Sequence, residues 1–214
     1  MEDWEYIAVE GVIGVGKTTL AKLLAREYNA KAILEDVDGN PFLPQFYEDP
    51  ERYAFPTQIF FLLSRYNELR NLTNRELFTK KILADYIFEK DKIFAYINLE
   101  RKERSLYDKI FNLLYKDIID PDFVIYLQAN LETIVERIQK RGRAYEKGMQ
   151  EDYIKLLIQS YNEYFFHFHK CPILIVNANE VDFIKNPSHF KLLKEEIESI
   201  KSGINYFSIA NEGF

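Results

Sequence analysis

A glycine-rich segment between a strand-like run and a helix-like run constrains this chain more than any other feature. It reads GVIGVGKTT over residues 11–19, after the apolar run YIAVE and before the helical pattern LAKLLAREY. Only 8 of the 214 residues are glycine, and three of them lie here. Glycines at this spacing let the backbone turn tightly and point successive N–H groups at an anion. The segment is a complete Walker A pattern in its strand–loop–helix context, and it predicts a phosphate-binding P-loop.

The residues of this loop have separate predicted tasks. Lys17 reaches the outer phosphates as a point charge, Thr18 offers its hydroxyl to Mg²⁺, and the start of the following helix adds its positive end. A chance match, in which the glycines serve only a tight turn, is the alternative that the correct flanks argue against. We expect the phosphates of a nucleotide to be held by Gly11, Gly14, Val15, Gly16, Lys17, Thr18 and Thr19.

Strand-like segments alternate with helix-like segments along the rest of the chain. We predict strands at residues 6–10, 31–36, 81–88, 122–129 and 172–178, and helices at residues 17–28, 57–72, 103–118, 130–142, 150–169 and 187–201. This alternation implies parallel pairing. The prediction is an α/β, P-loop NTPase fold in a single domain over residues 1–202, with a five-stranded parallel sheet, helices on both faces and a lid at about residues 141–149. The tail, residues 203–214, has no predicted structure.

Composition and charge exclude several classes of protein. The net charge of −6 argues against sequence-independent binding to a nucleic-acid backbone. A single cysteine, Cys171, excludes a disulfide framework and a cysteine-rich metal site. No apolar run approaches the roughly 20 residues that span a bilayer, and the acidic N-terminus does not resemble a signal peptide. We therefore expect a cytoplasmic protein that binds neither nucleic acid nor a membrane.

A P-loop alone is compatible with GTPases, motor and transport ATPases, and small-molecule kinases. The Asn-Lys-x-Asp motif with which GTPases read their base is absent. The fourth predicted strand ends in Gln128-Ala129 rather than in an acidic pair, so the acidic Walker B motif of ring and motor ATPases is missing as well. At 214 residues the chain is also too short for a multi-domain machine. A kinase that acts on a small acceptor remains.

Four further segments carry side chains that suit such an acceptor. Glu35 ends the second predicted strand, so its carboxylate faces the P-loop across the carboxyl edge of the sheet. Gln58 and Arg65 lie two turns apart on one face of a long apolar helix, where they suit a nucleobase; a buried polar pair is the alternative. Asp85 follows the third strand, and the arginine-rich RIQKRGRAYEKG occupies residues 137–148.

These segments, in this order, resemble the deoxynucleoside kinase family, and most closely its bacterial deoxyadenosine/deoxyguanosine kinase branch, over residues 6–197. The resemblance implies that ATP and Mg²⁺ are the cofactors. It implies that Glu35 takes the proton of the sugar 5′-hydroxyl, with the neighbouring Asp36 as a competitor for this role. It also implies that Asp85 holds the hydration shell of Mg²⁺, so that Thr18 and Asp85 form the metal site.

The resemblance assigns roles to the remaining residues on the acceptor side. Tyr47 and Glu146 bind the sugar 3′-hydroxyl, and Gln58 reads the edge of the base beside Arg65. Three aromatic residues are candidates either for a sandwich around the base or for the core: Phe46, Phe55 and Phe61. The predicted substrate-binding set is Glu35, Tyr47, Gln58, Arg65, Asp85 and Glu146.

The arginine-rich segment resembles the lid that closes over the ATP phosphates in this family. Arg137 and Arg141 share a helix face, and Arg143 lies just beyond the helix. The resemblance implies that Arg141 and Arg143 bind the phosphates of ATP. It also implies that Arg137 and Arg141 are catalytic together with Lys17 and Glu35, because arginines of a closing lid neutralise charge in the transition state. A solvated helix face is the alternative.

The third segment departs from the family pattern. Most relatives carry an arginine directly after the acidic residue, whereas this chain has Tyr86 at that position. The identity of the cation beside Glu35 is therefore open. Lys90 or Lys92 could supply the charge, and a solvated surface lysine is the alternative for each. Whether Asp91 reaches the base is open as well.

The resemblance predicts an enzyme, an ATP-dependent phosphotransferase that phosphorylates the 5′-hydroxyl of a deoxynucleoside in nucleotide salvage, and it implies a homodimer. A purine substrate, deoxyadenosine or deoxyguanosine, follows from the branch. Deoxycytidine is the next candidate, because a glutamine–arginine pair can read adenine, guanine or cytosine. The alternatives are a nucleoside monophosphate kinase similar to thymidylate kinase and a non-catalytic nucleotide-binding module.

Overall fold

The computed structural model of the protein describes residues 4–75 and 81–209. Its strands are β1 (Tyr6–Gly11), β2 (Lys31–Ile33), β3 (Ile82–Ala84), β4 (Phe123–Gln128), β5 (Ile173–Asn177) and β6 (Ile204–Phe207). Within the described residues, these six strands form one sheet in the order β2-β3-β1-β4-β5-β6. Every neighbouring pair in the sheet is parallel, as the alternation of strands and helices predicts.

The prediction of five strands was wrong, because a sixth strand lies in the part of the chain that had no predicted structure. β6 pairs with β5 at the edge of the sheet, with Ile204 opposite Ile173 and Phe207 opposite Val176. Its residues alternate between exposed and half-buried positions. A short strand at an edge, buried on one face only, gives a weak apolar signal in the sequence. The sheet therefore continues past residue 202.

The centre of the sheet is fully buried and brings three chain segments together. All six residues of β1 and the first five of β4 are buried, as expected of parallel strands with near-continuous apolar runs. Ala8 of β1 lies opposite Ala84 of β3 and Val124 of β4. Because the strands are parallel, the carboxyl ends of β1, β2 and β3 lie at one edge of the sheet, where such folds bind ligands.

The helices are α1 (Lys17–Glu27), α2 (Leu43–Glu48), α3 (Pro50–Arg75), α4 (Lys90–Asn98), α5 (Arg101–Leu114), α6 (Leu131–Arg141), α7 (Glu151–Phe166) and α8 (Pro187–Ser199), with short 3₁₀ turns at Tyr115–Asp117 and Ala144–Gly148. Asn130 caps the start of α6, because its side chain accepts a hydrogen bond of 2.9 Å from the backbone N–H of Thr133. Across residues 4–75 and 81–209, no helix combines the length and the apolar character needed to cross a bilayer.

Helix α3 is longer than predicted. It begins at Pro50 rather than at Thr57, and Pro56 lies inside it. A proline within a helix removes one backbone hydrogen bond, so a proline at position 56 favours a helix that begins after it. Ala54 and Leu62 are buried along this helix, and packing of its apolar face outweighs that single loss.

Strand β3 is shorter than predicted, and the helix after it was missed. β3 ends at Ala84 rather than continuing to Phe88, and α4 begins at Lys90. The side chain of Asp85 turns toward the P-loop, where it bonds to Thr18. The apolar residues after it are buried between elements rather than paired in the sheet, which is why their hydrophobicity suggested a longer strand.

Candidate active site

The P-loop has the backbone geometry that the glycine pattern predicts. Gly11 and Gly14 have φ angles of +150° and +83°, in the region that favours glycine. A Cβ atom at Gly11 would lie 2.5 Å from the carbonyl oxygen of Leu127. A Cβ atom at Gly14 would lie 2.8 Å from Cγ1 of Ile138. The loop therefore needs glycine at both positions in order to pass this close to β4 and α6.

The side chain of Lys17 folds back over the P-loop. Its Nζ donates a hydrogen bond of 3.1 Å to the carbonyl oxygen of Val12. Burial, and next the ammonium group of Lys90, lower the pKa of Lys17 from 10.5 to about 8, against the opposing effect of the carboxylates of Glu10 and Glu35. A phosphate beside Lys17 would stabilise its positive charge and so oppose the lowering of its pKa by burial and by Lys90.

Two side-chain oxygens that could bind a metal ion, one from Thr18 and one from Asp85, lie next to each other beside the P-loop. The Thr18 hydroxyl donates a hydrogen bond of 2.5 Å to Oδ2 of Asp85, and Oδ1 of Asp85 accepts one of 2.8 Å from the backbone N–H of Glu35. In the described part of the chain, no cluster of three or more His, Cys, Asp or Glu side chains could hold a metal ion. The hydroxyl–carboxylate pair fits Mg²⁺, which is commonly bound by one or two protein oxygens together with water and substrate phosphates.

The carboxylate of Glu35 is held by two cations. Its Oε1 accepts two hydrogen bonds from Arg65, the one from Nε at 2.9 Å. Its Oε2 accepts a hydrogen bond of 2.5 Å from Nζ of Lys90. Burial disfavours the charge of Glu35, but Lys90 and Arg65 outweigh it and hold the pKa well below its usual range. The carboxylate is therefore ionised and oriented at neutral pH.

The competing acid, Asp36, has a different environment. It is exposed, and its Oδ1 accepts a hydrogen bond of 3.0 Å from the backbone N–H of Gly39. This bond closes a local turn after β2 and leaves Glu35 as the acid that faces the P-loop.

A second carboxylate shares the guanidinium of Arg65. Asp91 is fully buried on α4; its Oδ2 accepts a hydrogen bond from Arg65, and its Oδ1 accepts one of 2.9 Å from the hydroxyl of Tyr107. Burial raises the pKa of Asp91 to about 6, although Arg65 and Tyr107 lower it. Asp91 therefore lies beside the predicted base-reading residue Arg65.

A cavity of about 300 Å³ extends from the P-loop to α2, α3 and α4. Lys17, Thr18 and Glu35 lie on its wall nearest the loop, and Tyr47 and Gln58 lie on its far wall. Gln58 is 2% exposed, and its Oε1 has no hydrogen-bond partner within residues 4–75 and 81–209. A buried carbonyl oxygen without a partner is costly, so it suits a ligand that brings a donor.

Aromatic side chains supply flat apolar surface to this cavity. Phe46 and Phe61, two of the three candidates for a sandwich around the base, line it and also belong to the buried core, and Phe94 of α4 lines it as well. Phe55, the third predicted candidate, does not line it. A flat ligand could pack between these rings.

A second cavity, of about 560 Å³, lies on the other side of the P-loop. Its walls are residues 14–19 of the loop, the end of α6 and the segment 181–184 before α8. The two cavities share Gly14, Lys17 and Thr18 together with Arg141 and Arg143. A ligand in each would meet the other over Lys17.

The predicted lid lies against the acceptor side of the first cavity. Arg141 pairs with Glu146 at 2.5 Å, and Glu146 is 3% exposed. The ring of Tyr145 stacks on that of Tyr47, with centroids 6.0 Å apart, and its hydroxyl donates a hydrogen bond of 2.7 Å to Asp38. Tyr145 thus brings the lid against Tyr47, whereas Glu146 lines a neighbouring cavity rather than the first one. Its role at the sugar 3′-hydroxyl stays a prediction.

Comparison with known proteins gives the family of this chain. The family model for deoxynucleoside kinase matches residues 7–202. The chain belongs to the deoxynucleoside kinase family. It is therefore an enzyme, a kinase that phosphorylates deoxynucleosides.

Several known proteins are similar over nearly the whole chain. Deoxyguanosine kinase of Bacillus subtilis is 35% identical over 202 residues, which cover 91% of this chain and 97% of the relative. The deoxyadenosine/deoxycytidine kinase of the same organism is 32% identical, covering 91% and 92%. A solved structure of deoxyadenosine kinase from M. mycoides, with the products dCMP and dCDP bound, has a TM-score of 0.80 and 28% identity, covering 91% of this chain and all of that one.

In this deoxynucleoside kinase, Arg137 shares the second cavity with Lys17 and Arg141 but does not line the first cavity, where Glu35 lies. Its guanidinium donates hydrogen bonds of 2.7 Å to the carbonyl oxygens of Val15 in the P-loop and Ala178 after β5. Burial lowers its pKa. It lines only the second cavity, so the geometry makes it a brace between two walls of that cavity. Its predicted catalytic role stays a prediction.

Glu10 is a buried acid beside the P-loop that the sequence pattern did not single out. It is fully buried at the end of β1, where its carboxylate accepts hydrogen bonds of 2.9 Å from the backbone N–H groups of Gly11 and Ile87. Burial raises its pKa, while Lys90 and Lys17 lower it. An acid that ends an otherwise apolar strand was the available signal, because such a residue needs a partner when it is buried.

Proposed function

We propose that this kinase transfers the γ-phosphoryl group of ATP to the 5′-hydroxyl of a purine deoxynucleoside, as in nucleotide salvage. The observation that carries the proposal is the meeting of two cavities at Lys17 and Thr18, with Glu35 on the wall of the smaller one. ATP in the larger cavity and a nucleoside in the smaller one would have their reacting groups at this shared wall. Such placement supplies much of the rate in phosphoryl transfer.

Glu35 is the proposed general base. It accepts the proton of the 5′-hydroxyl while the 5′-oxygen forms a bond to the γ-phosphorus. The bond from that phosphorus to the bridging oxygen breaks, and ADP leaves with the electron pair. Positioning matters more than basicity in this reaction, which suits a carboxylate with a lowered pKa that two cations hold in place.

The donor side is assigned to the P-loop and its neighbours. The backbone N–H groups of residues 11–19 and the ammonium of Lys17 would bind the phosphates. Mg²⁺, held by the Thr18 hydroxyl and through water by Asp85, would neutralise phosphate charge. Both oxygens already lie together in the protein.

The lid residues are assigned by their position at both cavities. Arg141 and Arg143 line both the larger cavity, assigned to ATP, and the smaller cavity, assigned to the nucleoside. They can therefore stabilise the negative charge of the γ-phosphoryl group before and after its transfer. Glu146 and Tyr47 are the proposed ligands of the 3′-hydroxyl. Burial holds the pKa of Tyr47 well above its usual range, so its hydroxyl keeps the proton that it would donate.

The base is assigned to Gln58, Arg65 and Asp91. The carbonyl oxygen of Gln58 can accept a hydrogen bond from an exocyclic amino group, such as that of adenine or cytosine. The purine preference is supported by the similarity to the Bacillus subtilis deoxyguanosine kinase. Deoxycytidine is the next candidate, in agreement with the name of the second Bacillus relative.

We also propose that the kinase is a cytoplasmic homodimer. Leu63 of α3 and Leu106 and Leu113 of α5 are exposed, and α3 and α5 are in contact. These three residues form what we call the leucine face. Exposed apolar side chains on two neighbouring helices are typical of a surface that a second copy covers.

A nucleoside monophosphate kinase is the second candidate reaction. It would have to bind an acceptor phosphate on the Glu35 side of the smaller cavity. Arg65 and Lys90 of that side are both paired with carboxylates, which favours a neutral nucleoside. A nucleotide-binding module without catalysis is the alternative of another class.

A panel of the four deoxynucleosides and their monophosphates, each with Mg·ATP, tests the substrate assignment. We expect 5′-phosphorylation of deoxyadenosine or deoxyguanosine and no transfer to the monophosphates. Turnover of thymidine alone would contradict the base assignment but not the reaction. Turnover of monophosphates alone would replace it with the second candidate.

Glu35→Gln tests the role of the base. We expect kcat to fall by about 10²- to 10⁴-fold, since that is the usual contribution of a general base. ATP binding, measured by calorimetry, is expected to stay within about threefold of wild type, because the carboxylate lies on the acceptor side. Asp36→Asn is the matched control, and it should leave kcat unchanged. An unaltered rate in Glu35→Gln would contradict the assignment and favour the binding module.

A further inference from the structure

Lys90 is a buried lysine at the acceptor side of the site. It is the first residue of α4, is 4% exposed, and lines the smaller cavity. Its Nζ lies 2.5 Å from Oε2 of Glu35. Burial of an ammonium group is unfavourable unless the group is paired and hydrogen-bonded, so the carboxylate of Glu35 is its compensation.

The ion pair completes the orientation of Glu35. Arg65 bonds to Oε1 only, and Lys90 bonds to Oε2. With Arg65 alone, Oε2 of Glu35 would be free to move as the carboxylate rotates about the Cγ–Cδ bond. The second cation holds both oxygens, and the group that would face a hydroxyl is then fixed in one orientation.

Lys92, the other candidate for this cation, and Tyr86, which stands where most relatives have an arginine, contact other groups. Lys92 points away from Glu35, since its Nζ lies 5.2 Å from the ring centre of Phe111 and 5.7 Å from that of Tyr96. Tyr86 donates a hydrogen bond of 2.5 Å to Glu68. Lys90 is therefore the lysine of this segment that reaches Glu35.

Lys90 has a second ammonium group nearby, which would be unusual for an ion pair that only stabilises the fold. The ammonium groups of Lys90 and Lys17 repel each other and line the same cavity. Glu10, fully buried, attracts both of them. Two ammonium groups beside one cavity are unfavourable together, and an anion that enters between them relieves the repulsion.

We propose that Lys90 is a positioning residue that holds the carboxylate of Glu35 in the orientation required for phosphoryl transfer. The inference rests on the proposed function of Glu35. Lys90 acts through Glu35, so its contribution should vanish when the carboxylate is removed.

A double-mutant cycle with Lys90→Met and Glu35→Gln tests this. We expect Lys90→Met to lower kcat by about 100-fold, near the low end for loss of general-base catalysis, with KM for the deoxynucleoside and for ATP within about threefold of wild type. In the Glu35→Gln background, the same substitution should lower kcat by less than about threefold, because there is no carboxylate left to orient.

Lys92→Met is the matched control, two residues along the same helix, and it should retain the wild-type kcat. Thermal unfolding of each variant shows whether it is folded. Should Lys90→Met fail to fold, Lys90→Gln, which keeps a hydrogen-bond donor and removes the charge, enters the same cycle.

Each outcome separates the inference from the proposed function. An unchanged kcat in Lys90→Met, or an equal loss with and without the Glu35 carboxylate, would overturn the positioning role. An unaltered rate in Glu35→Gln, or a wild-type protein that phosphorylates no deoxynucleoside, would instead overturn the proposed function.

Discussion

Arg65 is the residue on which the acceptor side of the site depends. Its guanidinium lies between the carboxylates of Glu35 and Asp91, and its charged face also lies 5.0 Å from the ring centre of Phe61. Burial opposes its charge, but the two carboxylates outweigh burial and raise its pKa. One cation shared by two buried acids cannot satisfy both fully, and Asp91, which is fully buried, is the acid with the raised pKa.

This shared pairing predicts a pH-dependent cost of folding. The pKa of Asp91 rises from 3.8 to about 6 in the folded protein, so the folded state binds more protons than the unfolded state between these values. Below about pH 4, Asp91 is protonated in both states and does not reduce the free energy of unfolding. As the pH rises from about 4 to about 6, the free energy of unfolding falls by roughly 3 kcal/mol, because the unfolded state loses this proton first.

Asp91→Asn removes this dependence. The free energy of unfolding of the variant relative to wild type should increase between pH 4 and pH 7, and urea unfolding at several pH values measures it. Asp152→Asn, at the exposed start of α7, is the control and should show no such trend. A difference between Asp91→Asn and wild type that is constant with pH would contradict the raised pKa.

Gly14 is the loop residue whose replacement separates backbone geometry from side-chain chemistry. Alanine there would adopt φ near +83° and place a Cβ 2.8 Å from Ile138. We expect Gly14→Ala to destabilise the protein by about 1–3 kcal/mol, from strain and overpacking, and to weaken ATP binding. Thermal unfolding and calorimetry measure both effects.

Gly148→Ala is the matched control for this prediction. Apart from its chain neighbours, no atom would lie within 4 Å of a Cβ at that position, so the substitution should leave stability and ATP binding nearly unchanged. Equal effects of the two substitutions would show that the geometry of Gly14 is not what the loop requires.

At the scale of elements, α6 connects two walls of the larger cavity through Arg137. The guanidinium of Arg137 donates hydrogen bonds to Val15 in the P-loop and to Ala178 after β5, and so it joins these two segments. A hydrogen bond from a charged group contributes about 1.5–3 kcal/mol, so a single side chain stabilises the relative position of both segments.

Arg137→Met distinguishes this brace from the predicted catalytic role. We expect a loss of about 2–4 kcal/mol of stability, from two charged hydrogen bonds with partial compensation by water, together with a higher KM for ATP and an unchanged KM for the nucleoside. Steady-state kinetics at saturating ATP supply the decisive comparison. Arg101→Met, on the exposed start of α5, is the control. A large fall in kcat with KM for ATP unaltered would support the catalytic role instead.

At the scale of the whole molecule, the leucine face is an apolar surface that would be exposed to solvent in a monomer. Leu113 is 66% exposed and Leu106 is 50% exposed. Apolar area buried on association contributes about 25 cal/mol per Å², so several such residues on one face favour pairing.

Leu106→Glu combined with Leu113→Glu tests the homodimer. Charges at the centre of an apolar interface are expected to shift the protein from dimer to monomer in light scattering. Leu192→Glu, an exposed leucine of α8, is the control and should leave the mass unchanged. A wild-type protein that is already monomeric would contradict the predicted dimer.

Sequence alone determined the parts of this kinase that depend on neighbouring residues or on the topology of parallel strands. The P-loop lies within nine consecutive residues, so its glycines, lysine and threonine specify it locally. The closeness of Glu35 and Asp85 to the loop follows from parallel strands, whose carboxyl ends share one edge. The resemblance to the family added the predicted roles of the acceptor residues, which stay predictions.

Tertiary structure decided what depends on packing between distant segments. Lys90 rather than Lys92 pairs with Glu35, 55 positions earlier in the chain, because α4 begins where β3 leaves the sheet. Edge strand β6 and the backbone contacts of Arg137 depend in the same way on partners that lie far away in sequence. Local patterns describe which face of an element is apolar, but the partner of a buried charge is set only when the elements pack together.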